Sequence, residues 1–307
     1  MSPSFHKTSK LALILLVLGA LWWGADQVNH AKDGGLRVRV FDVGQGDAIL
    51  VETPNDHQIL FDGGPDKTIL EKLGAALPSS DRSLDAIVLT HPHADHVNGL
   101  PAVLERYQVG TVYLAGVVHT TNAYLELLKI LNDKKIPVVI LEKPEKIDFG
   151  DGVVMQFVAP LKSWSGQTLV DLHQAMVVAK IIYGEDSVLL TGDMGQGLEA
   201  ELIATQEDSR AEVLKVGHHG SKTSSSAAFL DAVEPRIALI SVGAGNSYGH
   251  PHADTLDRLR AVGAEIWRTD LNKDLLVMCD GKICSVQGEE LRFFGNLANL
   301  FDTFFSQ

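Results

Sequence analysis

Residues 90–96 read THPHADH and continue as VNGL. His91, His93, Asp95 and His96 put four metal-ligand side chains into six residues. The run before them, Ala86–Leu89, is short, apolar and branched, as a buried strand is, and Leu100–Tyr107 after them has a helical pattern. The cluster is therefore expected on a strand-to-helix loop, where a rigid scaffold aims several side chains at one point. The plain alternative is a solvated histidine-rich loop. Such a loop gives no reason for so many nitrogen and carboxylate donors directly after a buried strand, whereas a bound metal does.

Working outward, further candidates fall at strand ends. Leu36–Phe41, Ala48–Glu52 and Gln58–Phe61 read as strands, with Asp47 in the loop after the first and Asp62 closing the third. Asp193 follows Ser187–Thr191, and His218 and His219 follow Glu212–Val216. His173 precedes Met176–Tyr183, and Asn246 and His250 lie in a glycine-rich loop after Ile237–Val242. Taken singly these are weak signals: a Gly-Asp turn is common, and a histidine pair is more often ordinary.

Together they make two ligand shells that share Asp193. The candidate ligands are His91, His93, Asp95, His96, His173, Asp193 and one of the adjacent pair, His218 in the first place with His219 left open. Asp95, His218 and His219 are the candidate catalytic groups. Asp62 and Asp47 are placed to orient ligand histidines. Ser221, Lys222, Asn246 and His250 are candidate substrate contacts. Nitrogen and carboxylate donors without thiolate suit Zn²⁺, with Mn²⁺ or Fe open. Two such ions lower the pKa of a bridging water and hold the reacting oxygen of an ester or phosphate.

The remaining pattern alternates strands with helical segments at Lys67–Leu77, Tyr124–Asn132, Gly197–Thr205, Ala227–Val233 and Thr255–Val262. Lys146–Gly152 reads as a polar stretch with a turn. Strands with helices interspersed on both sides predict an α/β fold in which two sheets are sandwiched between helices.

The chain has 307 residues, 45% hydrophobic and 21% charged, with a formal charge of −13. That acidity argues against a protein that holds nucleic acid mainly through a basic surface. It leaves room for an enzyme that meets phosphate through bound cations. Lys7 and Lys10 precede an apolar run, Leu11–Ala25, that includes Trp22 and Trp23. This is the length of a signal-peptide core and lacks a good cleavage site, so residues 1–35 are read as an uncleaved signal or membrane anchor with a linker, against a buried core helix. The remainder is then exported, to the periplasm or the outer face of the inner membrane. Residues 36–290 are read as the hydrolase domain. Residues 291–307 are read as an amphipathic helix, docked on the domain in preference to a membrane surface. Cys279 and Cys284 flank an Asp-Gly turn. They oppose one another if the loop has four residues and are out of register if it has two.

Residues 91–96 match the HxHxDH signature of the metallo-β-lactamase superfamily, whose fold is an αββα sandwich. FDVGQGDAILVETP, ILFDGG, LTHPHADHVNGL, LLTGDM and LKVGHHGSKTS resemble the hydrolase domain of the competence protein ComEC and its stand-alone relatives. The resemblance covers about Leu36 to Val286. It implies a di-metal hydrolase acting on phosphodiesters, with His91 and His93 on one ion, Asp95 and His96 on the other, and Asp193 bridging. One departure stands out: an Asn-rich stretch ending in Ser is replaced by residues 171–176, DLHQAM. His173 lies there, where other branches keep a ligand histidine. The resemblance does not extend to the multi-helix channel of ComEC, so DNA transport is not among the expectations. The expectation is a phosphodiesterase or nuclease using a metal-bound hydroxide. A hydrolase of a β-lactam, lactone or thioester is the rival, and a non-catalytic DNA-uptake accessory is third.

Overall fold

A computed structural model describes residues 16–19 and 34–288. Almost all of residues 1–35, and 291–307 entirely, lie outside that range, so the expected anchor and the expected C-terminal amphipathic helix fall outside the described residues. Among the described residues no helix is long and apolar enough to cross a membrane.

Among the described residues, fifteen strands form two sheets. The first holds β1 (Leu36–Val40), β2 (Ile49–Glu52), β3 (Gln58–Phe61), β4 (Ser83–Val88), β5 (Gln108–Leu114), β6 (Val138–Ile140), β14 (Leu275–Cys279) and β15 (Cys284–Gly288), in the order β15-β14-β1-β2-β3-β4-β5-β6. The second holds β7 (Glu145–Asp148), β8 (Val153–Ala159), β9 (Val178–Tyr183), β10 (Asp186–Leu190), β11 (Val213–Lys215), β12 (Ile237–Ile240) and β13 (Glu265–Arg268), in the order β13-β12-β11-β10-β9-β8-β7. Each sheet is antiparallel at one end and parallel at the other: β3 to β6 and β10 to β13 run parallel.

Alternation along the strands supplies the layers. Val38, Val51, Phe61, Phe157, Ile181 and Leu190 meet between the sheets in one core. Leu50, Leu60 and Ile87 face outward onto α1 (Thr68–Ala76), α3 (Leu100–Arg106) and α4 (Asn122–Lys134), through Ile69, Leu73, Leu100 and Leu127. On the far side Leu189, Leu214 and Ala238 pack on α5 (Gln196–Ala204), α6 (Ala227–Val233) and α7 (Ala253–Ala261), through Leu202, Phe229, Leu230 and Leu259. Central strands buried on both faces read as continuous apolar runs, as β12 does. The result is helix, sheet, sheet, helix. The expected αββα sandwich is the fold.

Two local readings are corrected. Residues 146–148, the start of the stretch 146–152 read as polar with a turn, belong to edge strand β7, paired antiparallel with β8. Its composition, EKID, is that of a charged edge that discourages further pairing, which hides the strand from a hydrophobicity reading. Within the THPHADH stretch, Ala94–Val97 forms a single helical turn, α2, with His93 as its N-cap. The last hairpin loop has four residues, so Cys279 and Cys284 are directly opposed and joined in a disulfide.

Candidate metal centre

Parallel strands deliver their C-terminal loops to one edge, and the site forms where the two sheets' loops face each other. Sheet one contributes Asp62 after β3 and His91–His96 after β4. Sheet two contributes Asp193 after β10, His218 and His219 after β11, and the 241–252 loop after β12. His173 arrives on a short 3₁₀ turn, Leu172–Ala175, ahead of β9.

The donor atoms assemble into two groups, each with all its atoms within 4.8 Å of one another. One is His91, His93, His173 and Asp193; the other is Asp95, His96, His219 and Asp193. Asp193 belongs to both. Its Oδ2 lies 3.9 Å from His91 Nε2 and 3.4 Å from His96 Nε2, and its Oδ1 lies 3.5 Å from His219 Nε2. Asp95 Oδ2 lies 3.2 Å from His219 Nε2 and 3.8 Å from His96 Nε2.

The nitrogens turned away from this space are held by fixed partners. His96 Nδ1 lies 2.7 Å from Asp62 Oδ2, and Asp62 also accepts from the Thr90 hydroxyl and amide. His173 Nδ1 lies 2.7 Å from Asp171 Oδ1, and the same oxygen caps the 3₁₀ turn by accepting from the His173 amide. His219 Nδ1 lies 2.9 Å from the Ser241 carbonyl and 3.5 Å from Asp47 Oδ1. Each arrangement fixes one tautomer and turns Nε2 inward. The buried Nε2 atoms of His96 and His173 and Oδ1 of Asp193 then have no hydrogen-bond partner among the described residues. Buried polar atoms without partners are costly unless something else binds them. Three of them converging on one space fit a pair of cations.

The electrostatics ask for the same positive charge. Burial opposes ionisation of Asp193, yet His219 and His96 hold its carboxyl well below the usual carboxylate range. Burial likewise opposes protonation of His96, but Asp193 and Asp62 hold its imidazole well above the ordinary value. His219 is pushed up to about 10 against burial, by Asp193, Asp47 and Asp95. His91 goes the other way, held well below its ordinary value by burial and by the neighbouring His96.

The structure sorts the adjacent pair left open by the sequence. His219 is 1% exposed and lies in the second donor group. His218, the ligand expected from the sequence, lies outside both groups, at the rim, with Nε2 3.9 Å from Asp193 Oδ2 and its ring 4.7 Å from that of His173. Both residues have left-handed backbones, φ 49° and 54°. That strained turn sends neighbouring side chains to different walls of the site.

The predicted substrate contacts divide. His250 lines the site, its ring 5.7 Å from that of His218, with Tyr248 stacked on it. Lys222 is exposed. Asn246 and Ser221 have other uses. The Asn246 amide donates to the carbonyls of Gly243 and His250 and accepts from the amides of Tyr248 and His250, bracing its own loop. The Ser221 hydroxyl is buried against Thr223. Neither side chain is free to hold a substrate.

Sequence reasoning missed Lys215. It is fully buried on β11, and its ammonium lies 2.8 Å from Asp47 Oδ2 and donates to the Val216 carbonyl. Lys215, Asp47 and His219 thus form a buried chain behind the donor atoms. A lysine inside the apolar run Val213–Val216 was the available signal, since a buried cation needs a carboxylate partner. Asp171 was missed for a different reason: a capping aspartate looks the same whether or not its histidine binds a metal.

The sequence pattern of the metallo-beta-lactamase superfamily matches residues 41–244. Competence protein ComA of Neisseria gonorrhoeae is 32% identical over 264 residues, 84% of this chain and 34% of the relative. The chain thus spans about a third of that relative's length. Ribonuclease J of Methanocaldococcus jannaschii is 28% identical over 131 residues, 40% of this chain and 25% of the relative. The solved structure of CmlA, a diiron β-hydroxylase from Streptomyces venezuelae, superposes with a TM-score of 0.50 at 16% identity, covering 80% of this chain and 54% of that one, a likeness of fold alone. With its αββα layers, its two His/Asp groups and a sequence match across most of the described residues, the chain belongs to the metallo-β-lactamase superfamily.

Proposed function

We propose that this protein is a di-metal phosphodiesterase that acts on nucleic acid. The observation that carries the reading is the pair of donor groups sharing Asp193, one with three histidines and one with two histidines and Asp95. All donors are nitrogen or carboxylate oxygen, which favours Zn²⁺ over softer or larger ions. When bound, two cations supply Lewis acidity and stabilise the charge that develops at a phosphoryl centre.

The protein's own residues do the rest. His91, His93 and His173 would hold one ion and Asp95, His96 and His219 the other, with Asp193 a donor in both groups. Asp62, Asp171 and Asp47 keep the imidazoles in register. His218, whose pKa burial lowers, is a neutral imidazole at the rim, placed to take or give a proton at the reacting oxygens. His250 and Lys222 contact the substrate beyond it. Similarity to a competence protein and to a ribonuclease supports a nucleic-acid substrate over a small ester. The net charge of −13 favours the rival, a carbonyl-centre hydrolase, because a polyanion is repelled everywhere except at the metals.

The proposal extends to location. The Cys279–Cys284 disulfide supports an oxidising compartment, with residues 1–35 as the membrane anchor and 36–290 as the exported domain. The test is turnover of a chromogenic phosphodiester, single-stranded DNA and a cephalosporin, with bound metal measured alongside and Asp95→Ala as control. Metal-dependent cleavage of the first two supports the reading. Cephalosporin turnover without phosphodiester cleavage overturns it.

A further inference from the structure

A second cavity, of about 380 Å³, lies on the outer face of sheet two and contains no residue of the metal centre. Its origin is visible in the strands. The helices α5 and α6 cover the outer face over β10 to β12, and β7, β8 and β9 extend beyond them. Phe157, Ala179 and Ile181 point into the core between the sheets, so their neighbours Gln156 and Lys180 point outward. Register places Lys146 opposite Gln156 and Gln156 opposite Lys180, a row of cation, amide and cation across three strands. Val158, Leu161, Leu189, Leu202 and Phe229 form an apolar wall beside this row.

Lys180 is the unusual member. Its side chain is 9% exposed, yet its ammonium donates only to the Asp208 carbonyl, at 3.2 Å, with the Asp208 carboxylate 3.8 Å away. That carboxylate is already engaged by Arg210 at 2.9 Å. A lysine has three protons to donate, so the ammonium keeps donor capacity toward the cavity. Burial lowers its pKa, the sign of a cation short of compensating charge.

We propose that this cavity binds a small amphipathic carboxylate, its head on Lys180 and Gln156 and its apolar body against Leu161, Leu189, Leu202 and Phe229. One buried cation suits a monoanion. Glu145 and Glu207 at the same cavity disfavour a dianion such as a phosphate monoester. The volume is within the range of small-molecule sites, which are mostly apolar with a few convergent polar groups. The proposal is independent of the function assigned to the metal centre.

The test is calorimetric titration of the full chain with octanoate, with octan-1-ol and octyltrimethylammonium as charge controls. Octanoate should bind saturably at one site, octanol about tenfold more weakly or worse, and the cation not at all. Lys180→Met should weaken octanoate about tenfold while leaving octanol unchanged. Val158→Trp, which fills the cavity, should abolish both, and it decides the matter if Lys180→Met does not fold. Octanoate binding equal in wild type and Val158→Trp places the ligand elsewhere, at the metals for instance, and overturns the proposal. So does octanol binding as tightly as octanoate, or no saturable binding.

Discussion

His218 and His219 are adjacent in sequence, and their left-handed backbone sends one to the rim and the other into the second donor group. Replacing His219 by Ala removes a donor from the second group and should lower bound metal from two ions toward one. Replacing His218 by Ala should leave metal content at two while reducing phosphodiester turnover about a hundredfold, the usual contribution of a positioned acid or base. Metal analysis beside turnover checks both, and equal metal loss in the two variants would reverse the assignment. Behind His219, the Asp47–Lys215 pair is fully buried, so removing one partner strands the other. Lys215→Met or Asp47→Asn alone should destabilise by about 3–5 kcal/mol, and the double variant by clearly less, as chemical denaturation would show. The same pair sets a pH dependence. Burial raises the Asp47 pKa, but Lys215 and His219 outweigh it and hold the group at about 2, below its ordinary 3.8. Its contribution is therefore complete above about pH 4 and is lost as pH falls toward 2, an acid slope worth about 2 kcal/mol that Asp47→Asn should flatten in metal-free protein.

At the scale of elements, the loop after β1 is pressed against the helical turn that carries Asp95 and His96. The Asp47 amide donates to the Asp95 carbonyl at 3.2 Å. Gly46, with φ +140°, has that carbonyl 2.2 Å from where a Cβ would sit. A side chain there must push the DVGQGD loop off the metal motif. Gly46→Ala should cost about 1–3 kcal/mol and reduce metal occupancy, measured by denaturation and metal content; an unchanged metal content would show that the two loops are not coupled. Glu199 acts similarly between helices. Its buried carboxylate on α5 accepts from the Ser225 and Ser226 amides at the start of α6. Two amides of a helix N-terminus lose their partner in Glu199→Ala, so a loss of about 1–3 kcal/mol is expected, with the 217–226 segment the first to exchange its amide hydrogens.

At the scale of the molecule, the donor groups join the sheets. His91, His93, Asp95 and His96 come from sheet one, and Asp193 and His219 from sheet two, so bound cations tie the layers where their loops meet. A cation present at a hundred times its dissociation constant adds about 2.7 kcal/mol of stability per site. Chelation should therefore lower the melting temperature by roughly 5–10 °C for each site emptied, recovered on adding Zn²⁺. A melting temperature indifferent to chelator would mean that the groups do not bind metal in the folded protein.

The class of chemistry and the layer order could be read along the chain, because both are written in short-range patterns. Four donors in six residues after an apolar run specify a metal loop, and alternating strands with intervening helices specify a two-sheet sandwich. Strand β7 escaped, since an edge strand is built from charged residues that resemble a turn. Which donors meet was settled by the folding of distant segments onto one another. The choice of His219 over His218 depends on two left-handed residues whose φ angles no composition reveals. The use of Asn246 and Ser221 as braces depends on where their own loops fold. Lys215 acquired its role from Asp47, 168 positions away, and Asp47 found its histidine, His219, 172 positions away. Ligand type is a property of single side chains and is therefore local. The partner of each donor is a property of chain crossings between two sheets, and only the folded molecule brings them together.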